Sequence, residues 1–95
     1  MDIHELRNQI DNIDEQIVKL FSQRMQIAQQ IGAYKKVNHL PTLDPSREAI
    51  KLQEIAKISD PQIKQYTIEL YKVLFQLSKD YQNSTTNCQD TEVAE

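Results

Sequence analysis

Apolar residues in the first third of the chain recur in alternating steps of three and four positions, as they do on one side of a helix. The steps begin at residue 3 and end at residue 34, and nine of the ten positions are apolar: Ile3, Leu6, Ile10, Ile13, Ile17, Leu20, Ile27, Ile31 and Tyr34. We name these nine residues the heptad seam, because their spacing is that of a coiled coil. The tenth position is Arg24. The pattern therefore predicts one long helix, from about Ile3 to Val37, with a cation inside its apolar stripe.

Arg24 has no acidic residue three or four positions away on this helix. A charge buried without a partner costs free energy, so the guanidinium needs either water or an anion. One interpretation is structural, with Arg24 setting the register of a coiled coil or extending to solvent. The other is a binding site for an external anion. The heptad seam alone favours the structural interpretation.

The ends of the first helix follow from local signals. Asp2 is a suitable N-cap, with Glu5 three residues later as its capping-box partner. Pro41 cannot continue the helix and restricts the residue before it. Gly32 is the only glycine of the chain. Because glycine weakens a helix, its presence predicts that another backbone or a ligand comes close at that point.

Two Asp-Pro pairs, at 44–45 and 60–61, predict the starts of two shorter helices, each with an aspartate N-cap and a proline in the first turn. The second helix is expected to end at about Ile58 and the third near Gln82. The third carries its own apolar stripe, formed by Ile63, Tyr66, Leu70, Val73, Leu77 and Tyr81. The sequence thus predicts an all-α fold of one long and two shorter helices over residues 1–82. Residues 83–95 are polar and are expected to form a disordered tail.

The length of the first helix predicts a second chain. At 1.5 Å per residue the helix is about 50 Å long, whereas a compact globule of this size is only about 30 Å across. Two-fold association through the long helix is the simplest way to cover the heptad seam. We therefore expect a homodimer.

Charge and composition exclude several classes of function. The formal net charge is −3, and the body up to Gln82 carries equal numbers of acidic and basic residues, so no basic field indicates nucleic acid or a membrane surface. No apolar run is long enough to span a bilayer and no leader pattern opens the chain, so a cytoplasmic location is expected. His4, His39 and the single Cys88 are scattered, which predicts no metal site, no covalent catalysis and no cofactor.

Two further cations, Lys35 and Arg7, lie on the same helix as Arg24. Lys35 follows it by eleven residues, which brings both side chains to within about 20° of the same face of the helix. Arg7 precedes it by seventeen residues, so the two arginines of one chain are about 25 Å apart. In an antiparallel dimer, the partner's Arg7 could complete a site around Arg24. Within a single chain, the spacing of four residues predicts that Arg7 is a surface residue paired with Asp11.

Several short motifs are found together in a known family. They are Leu6, Arg7, Ile10, Ile13 and Asp14, then Arg24, Gly32 and Lys35, then DPSRE at 44–48, and SKDYQ at 78–82. In this combination the chain resembles the all-helical class of chorismate mutases from Ile3 to Gln82. The resemblance favours the anion-binding interpretation of Arg24.

The resemblance implies an intertwined all-α homodimer with two sites that rearrange chorismate to prephenate in aromatic amino-acid biosynthesis. It assigns Arg24 and the partner's Arg7 to the two carboxylates of the substrate. Lys35 and Gln82 would be the catalytic residues, donating to the ether oxygen of the breaking bond. Glu48 would accept from the ring hydroxyl, and Asp44, Arg47 and Ser78 would complete the substrate-binding wall.

Three alternatives remain open. Isochorismate pyruvate-lyases resemble the same fold and share the two arginines, the lysine and the glutamine, although Asp44 with Arg47 and Glu48 favours the mutase. A mutase for 4-amino-4-deoxychorismate is possible, because Glu48 suits either a hydroxyl or an amine. A non-catalytic helical dimerisation module would have no affinity for dicarboxylates.

Overall fold

Three helices make up the part of the chain that the structure describes. The structure is a computed structural model that describes the backbone of residues 2–41 and 44–94 and the side chains as far as residue 83. Helix α1 is Ile3–Val37, α2 is Pro45–Ile58 and α3 is Lys64–Ala94. No strand occurs within these ranges. The predicted all-α class, with the longest helix first, is confirmed.

Two predicted N-caps are present. Asp2 accepts a hydrogen bond from the backbone N–H of Glu5 at 2.9 Å, and Asp44 accepts one from that of Arg47 at 3.0 Å. Each bond satisfies one of the backbone donors that the first turn of a helix leaves without a partner. Pro45 is the first residue of α2, as expected.

The predicted start of the third helix at Asp60 was wrong by a few residues. The Asp60 carboxylate accepts from the backbone N–H of Gln62 at 2.9 Å, and residues 61–63 form a turn before α3 begins at Lys64. Aspartate readily stabilises such a turn through its own side chain, so the Asp-Pro signal marks the turn here and not the helix.

The apolar pattern predicted that the third helix ends near Gln82. The backbone of α3 instead extends to Ala94. The side chains of residues 84–95 lie outside the described part of the chain. The expectation of a disordered tail over 83–95 stays a prediction.

Helix α3 packs against both other helices. The side chains of α1 that are buried or half-buried are Phe21, Arg24, Met25, Ala28, Gly32 and Lys35. On α3 the buried residues are Phe75 and Ser78, and on α2 the buried residue is Ile55. The face of α1 that packs within the chain is therefore the face of Arg24 and Lys35, and it lies beside the heptad seam.

The heptad seam itself remains exposed in the single chain. Every side chain from 2 to 20 is exposed, and Ile10, Leu20 and Ile27 retain 57%, 63% and 55% of their accessible surface. Five members of the α3 stripe are also exposed, namely Ile63, Tyr66, Leu70, Val73 and Leu77. The N-terminal half of α1 thus lacks a packing partner within the described part of its own chain.

The dimensions of the chain agree with this exposure. Its radius of gyration is 17.1 Å, against about 12 Å for a compact chain of this length. Its accessible surface is 7841 Å², against about 5700 Å² for a folded monomer of this mass. Both values are those of an elongated chain and not of a compact monomer. Within the described residues, no helix is both long and apolar enough to cross a membrane.

Candidate active site

Two clefts adjoin each other beside α3, and Ser78 and Gln82 line both of them. The first has a volume of about 410 Å³ and is lined by Lys35, Asp44, Arg47, Glu48, Phe75, Ser78, Lys79 and Gln82. The second has a volume of about 520 Å³ and is lined by Arg24, Ile27, Ala28, Ile31, Ser78 and Gln82. Both volumes include space that is open to solvent. Seven of the eight predicted site residues therefore lie in one region of the fold.

The guanidinium of Arg24 is held against α3. Its Nη1 donates a hydrogen bond to Oγ of Ser78 at 2.5 Å, and its Cζ lies 5.8 Å from the centroid of the Phe75 ring. Phe75 is in turn in edge-on contact with Tyr71, with centroids 6.1 Å apart. Within the described residues no carboxylate forms an ion pair with Arg24. Since an arginine has five N–H donors, the bond to Ser78 leaves most of them for an anion.

Gln82 occupies the space that Gly32 leaves open. A Cβ atom on residue 32 would lie 3.0 Å from Cγ and 3.1 Å from Cβ of Gln82. The Oε1 atom of Gln82 is buried at this junction of α1 and α3. The sequence predicted that a backbone or a ligand comes close to Gly32, but the nearest atoms belong to the side chain of Gln82, a candidate catalytic residue.

The first turn of α2 forms the opposite wall of the first cleft. Asp44 lines the cleft and caps α2, and the capped turn carries Arg47 and Glu48. Glu48 is half-buried, and its Oε2 lies 3.2 Å from Nζ of Lys79 on α3. The N-cap of α2 is therefore also the element that fixes where these two charged residues enter the cleft.

Two residues of this region, Phe75 and Lys79, were not predicted from the sequence. Phe75 stacks against Arg24, and Lys79 forms an ion pair with Glu48. Phe75 lies off the α3 stripe, and Lys79 follows Ser78 within SKDYQ with no spacing that relates it to α2. Only the packing of α2 against α3 brings Lys79 to Glu48, so no signal within one helix could have identified the pair.

The charges that line the two clefts are predominantly positive. The cations are Arg24, Lys35, Arg47 and Lys79, and the carboxylates are Asp44 and Glu48. Such an excess of cations in a concave site attracts an anion of more than one charge. Within the described part of the chain, no group of three His, Cys, Asp or Glu side chains could hold a metal ion.

Arg7 is the one predicted site residue that the single chain does not bring to the clefts. It is exposed on the N-terminal half of α1. From Arg24 it is separated by about 25 Å of helix, because each residue adds 1.5 Å. It lines neither cleft.

Comparison with known proteins agrees with this geometry. A family model described as chorismate mutase type II matches residues 6–83, a range that includes all eight predicted site residues. The chain is 29% identical over 89 residues to a chorismate mutase of Methanocaldococcus jannaschii, which covers 87% of the chain and 90% of that protein.

Two longer relatives match over shorter segments. The chain is 35% identical over 51 residues to the T-protein of Haemophilus influenzae, covering 54% of the chain and 14% of that protein. It is 36% identical over 58 residues to a bifunctional chorismate mutase/prephenate dehydratase of Aquifex aeolicus, covering 61% of the chain and 16% of that protein. The chain thus spans less than a fifth of the length of these two relatives.

Proposed function

The chain belongs to the chorismate mutase type II family, and from this premise we propose that it rearranges chorismate to prephenate. The observation that carries the proposal is the positioning of Arg24, Lys35 and Gln82 around two adjoining clefts with an excess of cations. Chorismate is a dianion of two carboxylates, which matches this charge. We place the reaction in aromatic amino-acid biosynthesis. The cytoplasmic location expected from the sequence stays a prediction.

The reaction occurs within one molecule and needs no nucleophile and no cofactor. An enzyme accelerates it by holding the compact reactive conformer and by placing donors where negative charge develops. Lys35 and Gln82 are the donors to the ether oxygen of the breaking bond. The close contact of Gln82 with Gly32 supports this role, since a side chain that is already held in place needs little reorganisation during the reaction.

Arg24 binds one of the substrate carboxylates. Its contacts with Ser78 and Phe75 hold the guanidinium in place before the substrate arrives. Guanidinium and carboxylate match each other in a bidentate geometry, which fixes orientation better than an ammonium group does. Ser78 thereby contributes to binding by orienting Arg24.

The first turn of α2 binds the ring of the substrate. The Glu48 carboxylate accepts a hydrogen bond from the ring hydroxyl. Arg47 is exposed at the edge of the first cleft, where it closes the site over the substrate. Asp44 acts mainly by capping α2 and so fixes the position of both residues.

Arg7 of the partner subunit binds the second carboxylate in an intertwined homodimer. The exposed heptad seam and the excess accessible surface support such a dimer. If two α1 helices cross in antiparallel orientation, the N-terminal end of one lies near the middle of the other. Arg7 would then reach the partner's Arg24, although it cannot reach that of its own chain.

Product identification tests the proposal. Purified protein is incubated separately with chorismate, isochorismate and 4-amino-4-deoxychorismate. We expect prephenate from chorismate. Formation of pyruvate from isochorismate without prephenate would indicate a lyase, and no turnover and no binding of dicarboxylates would indicate a helical dimerisation module.

Two neighbouring lysines supply the matched control. Lys35 is half-buried and lines the cleft, whereas Lys36 is exposed and lines neither cleft. Lys35→Gln should lose most of the activity and Lys36→Gln should retain it. Equal activity of the two variants would contradict the proposed role of Lys35.

A further inference from the structure

Lys79 and Glu48, which both line the first cleft, form an ion pair. Nζ of Lys79 lies 3.2 Å from Oε2 of Glu48, and the two side chains are 23% and 32% exposed. Both line the cleft together with Lys35 and Gln82. The pair joins α2 to α3, so it fixes the Glu48 carboxylate relative to the helix that carries Gln82.

The pair also changes what the Glu48 carboxylate can bind. Lys79 engages Oε2, which leaves Oε1 as an acceptor. A neutral hydroxyl needs only such an acceptor, since it carries no net charge that the ammonium of Lys79 could repel. A protonated amine is attracted by the carboxylate but repelled by the ammonium of Lys79, and the repulsion offsets part of the attraction.

The second carboxylate of the cleft does not restore the attraction. Asp44 already accepts the backbone N–H of Arg47 as the N-cap of α2. The other side chains of the cleft that carry charge are the cations Lys35 and Arg47. A cationic substituent on the ring would therefore enter a region whose net charge is positive.

We propose that Lys79 is a specificity-determining residue, which acts through Glu48 to select a substrate with a neutral ring hydroxyl over one with a protonated ring amine. This inference rests on the proposed function. Lys79 is a positioning residue and not a catalytic one, because it acts on the carboxylate and not on the reacting atoms. Without it, Glu48 would attract an amine.

The test compares kcat/KM for chorismate with that for 4-amino-4-deoxychorismate. Wild type should prefer chorismate. In Lys79→Met, which keeps the length of the side chain and removes its charge, the ratio should shift towards the amine by about tenfold. Lys79→Gln should shift the ratio in the same direction. Lys79→Arg keeps the positive charge and should keep the wild-type ratio.

Lys72→Met is the matched control. Lys72 is exposed on the polar face of α3, beside Glu69 and Gln76, and lines neither cleft. Its replacement should leave the ratio unchanged. A merely structural role for Lys79 would lower both values of kcat/KM together and keep their ratio.

Three results would overturn the inference. They are a wild-type preference for the amine, a ratio in Lys79→Met and Lys79→Gln that stays within about twofold of wild type, and a Lys79→Arg ratio like that of Lys79→Met. The failure of the proposed function looks different. Wild type would then convert neither compound, and the inference would fall with it.

Discussion

The Cβ atom that Gly32 lacks would lie 3.0 Å from Cγ of Gln82. Few Cβ atoms in proteins have so near a neighbour outside their own helix. A glycine inside α1 costs about 1 kcal/mol of helix stability relative to alanine, so its presence opposes the local preference. The absent side chain is what allows Gln82 to enter the junction of α1 and α3.

We predict that Gly32→Ala lowers kcat by about tenfold, since the added methyl group displaces the Gln82 amide from the breaking bond. The free energy of unfolding should change by less than about 1 kcal/mol, because higher helix propensity offsets the tighter contact. Ala33→Gly, at an exposed neighbouring position, should show the opposite pattern, with reduced stability and normal kcat. Thermal unfolding and steady-state kinetics on both variants check this. Unchanged kcat in Gly32→Ala would contradict it.

Replacement of Gln82 by glutamate should confine activity to acid pH. An amide donates a hydrogen bond without titrating, whereas a carboxyl group donates only when protonated, near pH 4.3 in model peptides. The ratio of the Gln82→Glu rate to the wild-type rate should therefore fall as the pH rises and the carboxyl group ionises. Gln82→Ala should raise the activation free energy by about 3 kcal/mol at every pH. A ratio for Gln82→Glu that is close to one at all pH values would show that Gln82 does not face the breaking bond.

Ser78→Ala should weaken substrate binding. It removes the hydroxyl that accepts from Arg24, and a hydrogen bond to a charged group contributes roughly 1.5–3 kcal/mol. We expect KM to rise by about tenfold with a smaller change in kcat, because the guanidinium remains but is less well oriented. Ser78→Thr keeps the hydroxyl and serves as the control. A normal KM in Ser78→Ala would mean that Phe75 alone is sufficient to position Arg24.

The sequence predicted the parts of the fold that depend on local chemistry. The caps at Asp2 and Asp44 follow from side chains that bond to their own first turn, and the close approach at Gly32 follows from the penalty of glycine in a helix. Asp60 shows the limit of such signals, because the same residue pair can open a turn or a helix.

Contacts between helices were harder to predict from the sequence. Periodicity identified the heptad seam but not the face beside it, through which Arg24 and Ala28 pack on α3. The grouping of Lys35, Glu48 and Gln82 came from the family resemblance and not from spacing. The ion pair of Lys79 with Glu48 depends on how α2 and α3 pack, so a reading of each helix alone could not reveal it.

The chain should be an obligate dimer, since the exposed heptad seam has no cover within its own described helices. Sedimentation at micromolar concentration should give about twice the chain mass of 11.1 kDa. Ile13→Glu places a charge in the seam and should yield an inactive or unfolded monomer, whereas Ile13→Leu should remain dimeric and active. A folded and active monomer would refute the shared site.

Mixing of two inactive variants tests most directly whether each site is shared between two chains. Arg7→Ala and Arg24→Ala should each be inactive alone. Refolded together in equal amounts, they form heterodimers in which one site lacks both arginines and the other has both. Random pairing makes half of the dimers heterodimers, so the mixture should regain about a quarter of the wild-type activity on chorismate. If heterodimers form and the mixture stays inactive, Arg7 does not act across the interface and the account of the active site is wrong.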